Sequence, residues 1–360
     1  MSGNSLGRNY VVTCFGESHG RCVGVVVDGC PPGLELSDAD VQRELDKRRP
    51  AASSIFTPRR EEDQVEFFSG VFKGRTTGAP LCMLVWNREV DSRPYEKIRW
   101  TPRPGHADYP ARIHYKGFND YRGGGRFSGR LTAAYVMAGA VAKRLLEGLG
   151  IDVLAHVVKI SHIEVVEAPS VEEIITHVYS NPMRCADGDV ARLMAHVVQD
   201  ARDAGDSVGG VVEGRVLNVP PGVGQPIFDS LDADLAKALF TIPAVKGVEF
   251  GAGFKAVSLM GSQNNDAYTM KDGQVVTLTN NSGGVLGGLS TGMPITFRVA
   301  FKPTPSISKS QQTVDVRALV DTDIEVKGRH DACIVPRAVP VVESMAAITV
   351  VDHLLAAGFL

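Results

Sequence analysis

Glu17, Ser18 and His19 set a carboxylate, a hydroxyl and an imidazole side by side, flanked by Gly16 and Gly20. An unperturbed imidazole titrates at roughly 6.5, which suits proton transfer near neutral pH. The glycines permit a sharp turn and the close approach of a ligand. The competing reading is that the three residues only cap a turn. A second histidine stands in Arg103-Pro104-Gly105-His106-Ala107-Asp108, again beside an arginine and a carboxylate. In Tyr121-Arg122-Gly123-Gly124-Gly125-Arg126-Phe127-Ser128-Gly129-Arg130, guanidinium forks and exposed backbone N–H groups lead straight into an apolar helix. That combination makes a phosphate cradle, with a flexible surface loop as the alternative. Three further polar islands follow: the glycine-rich run 280–290, the rigid turn Lys302-Pro303-Thr304-Pro305-Ser306, and Gly328-Arg329-His330-Asp331.

The elements that must position these groups follow from periodicity. Runs 10–15 and 22–28 read as strands on either side of the Glu17–His19 cluster. Ser37 reads as the N-cap of a helix that ends at Pro50, with Asp38 and Asp40 in its first turn and Asp46-Lys47-Arg48-Arg49 in its last, as the macrodipole favours. Strands are expected over 64–72, 80–86, 151–163, 208–219 and 294–301, a strand pair over 246–260, and helices over 131–149, 189–204 and 338–355. Residues 91–129 show no period. Between Arg93 and Arg130 nine Lys/Arg face only Glu96, Asp108 and Asp120, in a chain of net charge −3. So concentrated a positive loop points to a small anionic ligand, and repulsion within it suggests that it closes on that ligand.

The chain also echoes itself. A strand, Pro31-Pro32-Gly33 and the helix with Asp38-Ala39-Asp40 match a strand, Pro220-Pro221-Gly222 and the helix with Asp232-Ala233-Asp234. More weakly, Arg130 before its helix matches Arg337. The 360 residues are therefore expected to form one unit of two related halves, about 1–185 and 186–360, packed about an internal pseudo-two-fold axis. The six cysteines lack metal or disulfide spacing, and no metal site is expected. With no signal-like segment and no apolar run of about 18 residues, a cytoplasmic location is expected, with no membrane or nucleic-acid partner.

Taken together these motifs resemble the chorismate synthase family. Gly16-Glu17-Ser18-His19-Gly20 with Asp28-Gly29-Cys30-Pro31-Pro32-Gly33 is similar to the first family signature, and Gly124 to Thr132 to the second. Gly328 to Cys333, with Arg337-Ala338-Val339-Pro340 and Glu343, is similar to the third. The blocks 103–108 and 302–306 match as well, so the resemblance runs from about Gly3 to Leu355.

It implies an α+β fold, a β-α-β sandwich with internal pseudo-two-fold symmetry, and a homotetramer. The implied activity is that of a lyase acting on phosphates. It eliminates phosphate and the C6 proton, in 1,4-anti fashion, from 5-enolpyruvylshikimate 3-phosphate to give chorismate, the last step of the shikimate pathway toward aromatic amino acids. Reduced FMN is required, with NADPH as ultimate reductant. The chain carries no insertion of the kind found in bifunctional fungal members, so an external flavin reductase is expected.

By motif, the resemblance assigns Ser18, Arg48, Arg103, Arg130 and Arg329 to the substrate. It makes His19 the group that protonates or hydrogen-bonds the departing phosphate and sets His106 against the reduced flavin. Asp331 and Ser128 are the pair that moves the C6 proton by way of the flavin. FMN contacts are expected at Arg126, Phe127, Ser128, Pro243, Ala244, Gly287, Lys302, Pro303, Thr304, Pro305, Ser306 and Arg329, and the family NADP position at Arg48 and Ser54. Three positions depart from the common pattern: Ser54 stands where Arg is frequent (Arg59 or Arg60 could substitute), Phe127 replaces a small residue, and Pro243 replaces Asn. The other class of reading, an RGG-like RNA-binding patch over 122–130, has a single copy and a net negative chain against it.

Overall fold

The computed structural model describes residues 3–49, 63–88, 91–326 and 331–360. Ser54 and Arg329 lie outside the described residues, as do Arg59 and Arg60.

Two five-stranded antiparallel sheets enclose a layer of helices. In the first sheet the order is Ser5–Leu6, Val11–Gly16, Cys22–Asp28, Leu81–Trp86, Val65–Ser69. In the second it is Ile163–Glu164, Asp152–Ile160, Gly210–Leu217, Ile295–Phe301, Val245–Phe250. Along the chain, each sheet forms two neighbouring antiparallel strands (Val11–Gly16 and Cys22–Asp28, or Asp152–Ile160 and Gly210–Leu217), passes through Pro-Pro-Gly into a helix (Asp38–Arg48 or Leu231–Phe240), and returns with two more strands. The register of the last pair slips in both sheets, between Phe67 and Ser69 and between Val245 and Gly247. A long helix then follows, Thr132–Glu147 or Val335–Ala356. This is an α+β sandwich of the β-α-β kind.

One boundary differs from the sequence expectation. Asp152–Ile160 pairs with Gly210–Leu217, so the second sheet already begins just after Gly150, ahead of the expected division at about 185. Its β-branched, alternating run belongs to the later sheet by burial: Ala155 and Val157 face the core with Val212 and Val216. The strand pair expected over 246–260 is also corrected. Val245–Phe250 is a strand, but Gly251 and Gly253 both adopt φ +53, which ends the ladder and turns 253–258 into a 3-10 helix. The helix Val171–His177 and the hairpins Tyr268–Lys271/Gln274–Thr277 and Gln311–Asp315/Val320–Ile324 were not anticipated.

The middle layer is where both halves meet. Val335–Ala356 is long and apolar enough to cross a membrane by composition, yet it is buried nearly throughout, between the sheets. Asp352 near its end accepts the backbone N–H groups of Arg8, Asn9 and Tyr10 at 2.9, 2.6 and 2.8 Å, pinning the N-terminal segment to it. One buried cation links three helices of this layer through two carboxylates. Lys143 Nζ lies 2.6 Å from both Glu44 and Glu343, and Glu343 also accepts from Tyr179 at 3.0 Å. Burial alone would raise the Glu44 carboxyl, but Lys143 and Lys47 hold it down to about 2. A buried ion pair adds little by itself, whereas removing one partner strands the other charge at a cost of roughly 3–5 kcal/mol.

The two long helices touch backbone to backbone at Gly139. A Cβ there would lie 2.6 Å from Ser344 Cα and 2.2 Å from its Cβ. Alanine would gain about 1 kcal/mol of helix propensity over glycine. Overpacking a fixed backbone costs roughly 1–3 kcal/mol, so the clash wins. Gly139→Ala is expected to lower the midpoint of thermal unfolding; an unchanged or raised midpoint would show that the helices can move apart.

Candidate active site

His19 sits in the turn between Val11–Gly16 and Cys22–Asp28, at the edge of the first sheet. Asn87, the residue after Leu81–Trp86, holds this turn shut. Its side-chain Nδ2 donates to Glu17 O and Gly20 O, each at 3.0 Å, and its backbone N–H donates to Arg21 O. Its Oδ1 accepts from Arg130 Nε at 2.9 Å. One amide side chain thereby ties the imidazole turn to a predicted substrate arginine.

The glycine run closes over the same turn. Gly123, Gly124 and Gly125 all have positive φ (60, 83 and 53°), a conformation that side chains disfavour. At Gly123 a Cβ would come within 2.2 Å of His19 Cδ2 and 2.9 Å of Ser18 Oγ. Ser18 N–H donates to Gly125 O at 3.1 Å. His19 Nδ1 lies 2.9 Å from Ser92 Oγ, and its ring meets Tyr95 edge-on at 5.0 Å. His19 is 8% exposed.

Tyr95 leads to the second histidine. Its ring lies under the Arg103 guanidinium at 5.5 Å, and Arg103 forms a two-pronged pair with Asp108 at 2.7 and 2.8 Å. Burial disfavours charge here, but Arg103 keeps the Asp108 carboxyl below its usual range. His106 Nδ1 faces Pro104 O at 3.1 Å, and its Nε2 meets Ser306 Oγ at 2.8 Å. A carbonyl can only accept, so Nδ1 carries the hydrogen and Nε2 accepts from the Ser306 hydroxyl. Burial, with Arg103 next, pushes this imidazole down to about 4.

The turn 302–306 is thus docked on the arginine loop from the second sheet. Lys302 Nζ donates to Gly105 O at 2.5 Å, and a Cβ on Gly105 would strike Pro305. Lys302 N–H donates to the carbonyl of Ala244, itself at φ +74, which places the Pro243–Ala244 corner beside the turn. Ser207 Oγ donates to Thr304 O at 2.6 Å, and Val208 N–H donates to Ala332 O at 2.9 Å. That braid sets Asp331 on the same side of the molecule, where its carboxylate pairs with Arg337 at 2.6 Å. Burial and the neighbouring Lys246 lower the Lys302 pKa, and the Thr304 hydroxyl is buried without a partner among the described residues. Two adjacent cations and an unused hydroxyl suit the phosphate end of a nucleotide cofactor.

Several expected residues behave differently. Arg48 and Arg130 are buried and share the carboxylate of Asp63. Arg126 points to Tyr115 and Asn4, and Phe127 stays half-exposed beside Tyr115. Ser128 accepts the Arg130 N–H at 3.3 Å, capping the turn before Thr132–Glu147. A Cβ on Gly287 would meet open space, while Gly288 beside it packs on Ser230 and Gly284 on Pro294, ahead of the strand Ile295–Phe301 that Lys302 follows. The arginine loop is less self-repelling than its composition suggests, since Arg93, Arg103 and Arg122 pair with Asp91, Asp108 and Asp120. It also holds two short helices, Arg93–Lys97 and Asp108–His114. Asp63, Asn87, Ser92 and Tyr95 were not singled out from sequence. Only the acid run Glu61-Glu62-Asp63 just before a strand could have drawn notice to the first.

Within this fold Arg130 is tied to the His19 turn through Asn87, and Arg103 stands beside His106. Residues 10–355 match the chorismate synthase family. A chorismate synthase of Korarchaeum cryptofilum is 54% identical over 99% of this chain and 98% of its own length. One of Dehalococcoides mccartyi is 51% identical over the same shares. A crystal structure of chorismate synthase superimposes with a TM-score of 0.77 at 30% identity, covering 98% of this chain and 93% of that one. The chain belongs to the chorismate synthase family, lyases of chorismate and aromatic amino acid biosynthesis.

The His106 geometry gives a sign for pH. Its folded pKa lies below the roughly 6.5 of an unfolded histidine, so the unfolded chain takes the proton first. His106 therefore contributes stability above that pH, and the contribution is lost as pH falls toward about 4. Nitrogen NMR is expected to show an Nδ1–H imidazole with a midpoint near about 4. A midpoint at the ordinary histidine value would contradict the burial of this imidazole beside Arg103.

Proposed function

We propose that the chain converts 5-enolpyruvylshikimate 3-phosphate to chorismate and phosphate by 1,4-anti elimination, with reduced FMN bound. The observation that carries this reading is the closure of the glycine run on Ser18 and His19, tied through Asn87 to Arg130, in a chain that matches chorismate synthases over nearly its full length.

The C3–O bond to phosphate breaks and the C6–H bond gives up its proton, leaving a new double bond in the ring. Phosphate departure concentrates negative charge on the leaving oxygen. His19, oriented by Ser92 and the Tyr95 edge, hydrogen-bonds or protonates that oxygen, and Ser18 beside it donates to the substrate. Arg103, Arg130 and Arg48 surround the substrate's carboxylates and phosphate with fixed guanidinium planes, with Arg329 as the family counterpart outside the described residues. Asp331, held by Arg337, and Ser128 serve the C6 proton.

Lys302, Thr304 and Ser306 would hold FMN with Pro303, Pro305, Ala244 and the 126–128 backbone, and His106 would face it as a neutral imidazole. When bound, the reduced flavin supplies an electron-rich ring that stabilises the electron-deficient substrate. Gly287, in the hairpin of Val285–Leu286 with Leu289–Ser290, is the further family position for the flavin.

An external reductase supplies reduced flavin, with NADPH as the ultimate reductant. The apolar surface of Phe254, Val257, Met260, Tyr268 and Met270 supports burial between subunits of a homotetramer. Six free cysteines suit a reducing, cytoplasmic setting. The matching strand orders of the two sheets support a single unit made of two related halves.

The test is anaerobic: protein, dithionite-reduced FMN and the enolpyruvyl substrate are mixed, and phosphate release and chorismate absorbance are followed. Turnover is expected from the wild type. His19→Ala and Asp331→Ala are each expected to lower it by ~10²–10⁴-fold with folding retained. Absence of wild-type turnover would sink the assignment, and full activity in either variant would remove that residue's role.

A further inference from the structure

Arg48 closes the helix Asp38–Arg48, and Arg130 precedes the helix Thr132–Glu147. The two come from separate helices, and both reach a single carboxylate. Asp63 Oδ2 accepts from Arg48 Nη1 at 3.1 Å, and Oδ1 accepts from Arg130 Nη1. The Asp63 side chain is only 2% exposed. The other arginine nitrogens are fixed too: Arg48 Nε and Nη2 on Thr132 Oγ1 and Gly129 O, Arg130 Nε and Nη2 on Asn87 Oδ1 and Trp86 O.

We propose that Asp63 is the positioning residue that holds Arg48 and Arg130 as one anion-recognising pair for the substrate; this rests on the reading of those arginines as substrate contacts. Two like charges side by side repel, and the shared carboxylate both offsets that repulsion and sets the angle between the guanidinium planes. The backbone is built around this placement. Asp63 has φ +43, a left-handed conformation that a non-glycine residue adopts at a cost of roughly 1–3 kcal/mol. Gln42 holds it there, donating to Asp63 O at 3.3 Å and accepting from Val65 N–H at 3.0 Å. His19 is held by Gly123 and by the turn that Asn87 closes, and the link from Asp63 to that turn runs through Arg130 and Asn87, so disturbing Asp63 acts on the arginines, and hence on substrate binding, before it acts on proton transfer.

The experiment is steady-state kinetics of the full chain under anaerobic conditions with saturating reduced FMN, on wild type, Asp63→Asn and Gln42→Ala. The amide keeps the shape of Asp63 but turns one acceptor into a donor that faces a guanidinium. Asp63→Asn is expected to raise KM by at least ~10-fold while kcat changes far less, the split that marks lost binding without lost transition-state contacts. Gln42→Ala, which leaves the carboxylate but frees its backbone, is expected to raise KM in the same direction by less, and it carries the test if Asp63→Asn does not fold. An unchanged KM in the folded variants would overturn the proposal. So would a loss of kcat and thermal stability together with no KM change, which marks a structural role only. A wild-type chain without turnover would overturn the functional reading and this inference with it, whereas normal wild-type turnover with unaltered variants would overturn this inference alone.

Discussion

A gap the width of a glycine separates the backbone at Gly123 from the ring of His19. Any side chain at Gly123 would enter that ring, so the loop can lie against the imidazole turn only because it carries none. From this contact the rest of the site follows outward. Gly125 accepts the Ser18 N–H, Ser128 caps the turn that presents Arg130, and Arg130 returns to Asn87, which closes the turn around His19. The circuit joins two segments about a hundred residues apart in the chain into one rigid wall.

The sandwich makes that wall possible. Both long helices lie in the middle layer, touching at Gly139 and Ser344, so the loop before the first and the segment before the second emerge against the edges of opposite sheets. The arginine loop bridges them. Its Arg103–Tyr95 stack faces His19, and its Gly105–His106 corner receives Lys302 and Ser306 from the second sheet. Burial around this corner keeps His106 neutral and lowers Lys302, while local aspartates offset three of the loop's arginines. Local aspartates therefore neutralise part of the positive field that the composition suggests, at Arg103 among others.

The sequence made the regular elements legible. Strands flanking His19, the Ser37 cap and the Pro-Pro-Gly turns all carry local signals of period and turn chemistry, and the polar islands stand out by composition. Local signals could not show where the chain's halves exchange partners, because Asp152–Ile160 is a strand whichever sheet it joins. Nor could they show Asp63 or Asn87. Each acts through contacts with residues far along the chain, and neither type nor spacing distinguishes them from ordinary surface residues. The family resemblance assigned roles to Arg48 and Arg130 but not their burial or their shared carboxylate, which depend on how two helices approach.

The central claim is that the glycine loop and the His19 turn form one catalytic surface. Gly123→Ala tests it most directly, because the substitution adds no charge and removes no functional group. The account predicts a chain with wild-type circular dichroism whose rate of phosphate release, with reduced FMN and 5-enolpyruvylshikimate 3-phosphate, falls by about 10²-fold as His19 is displaced. An unchanged rate in that folded variant would contradict it.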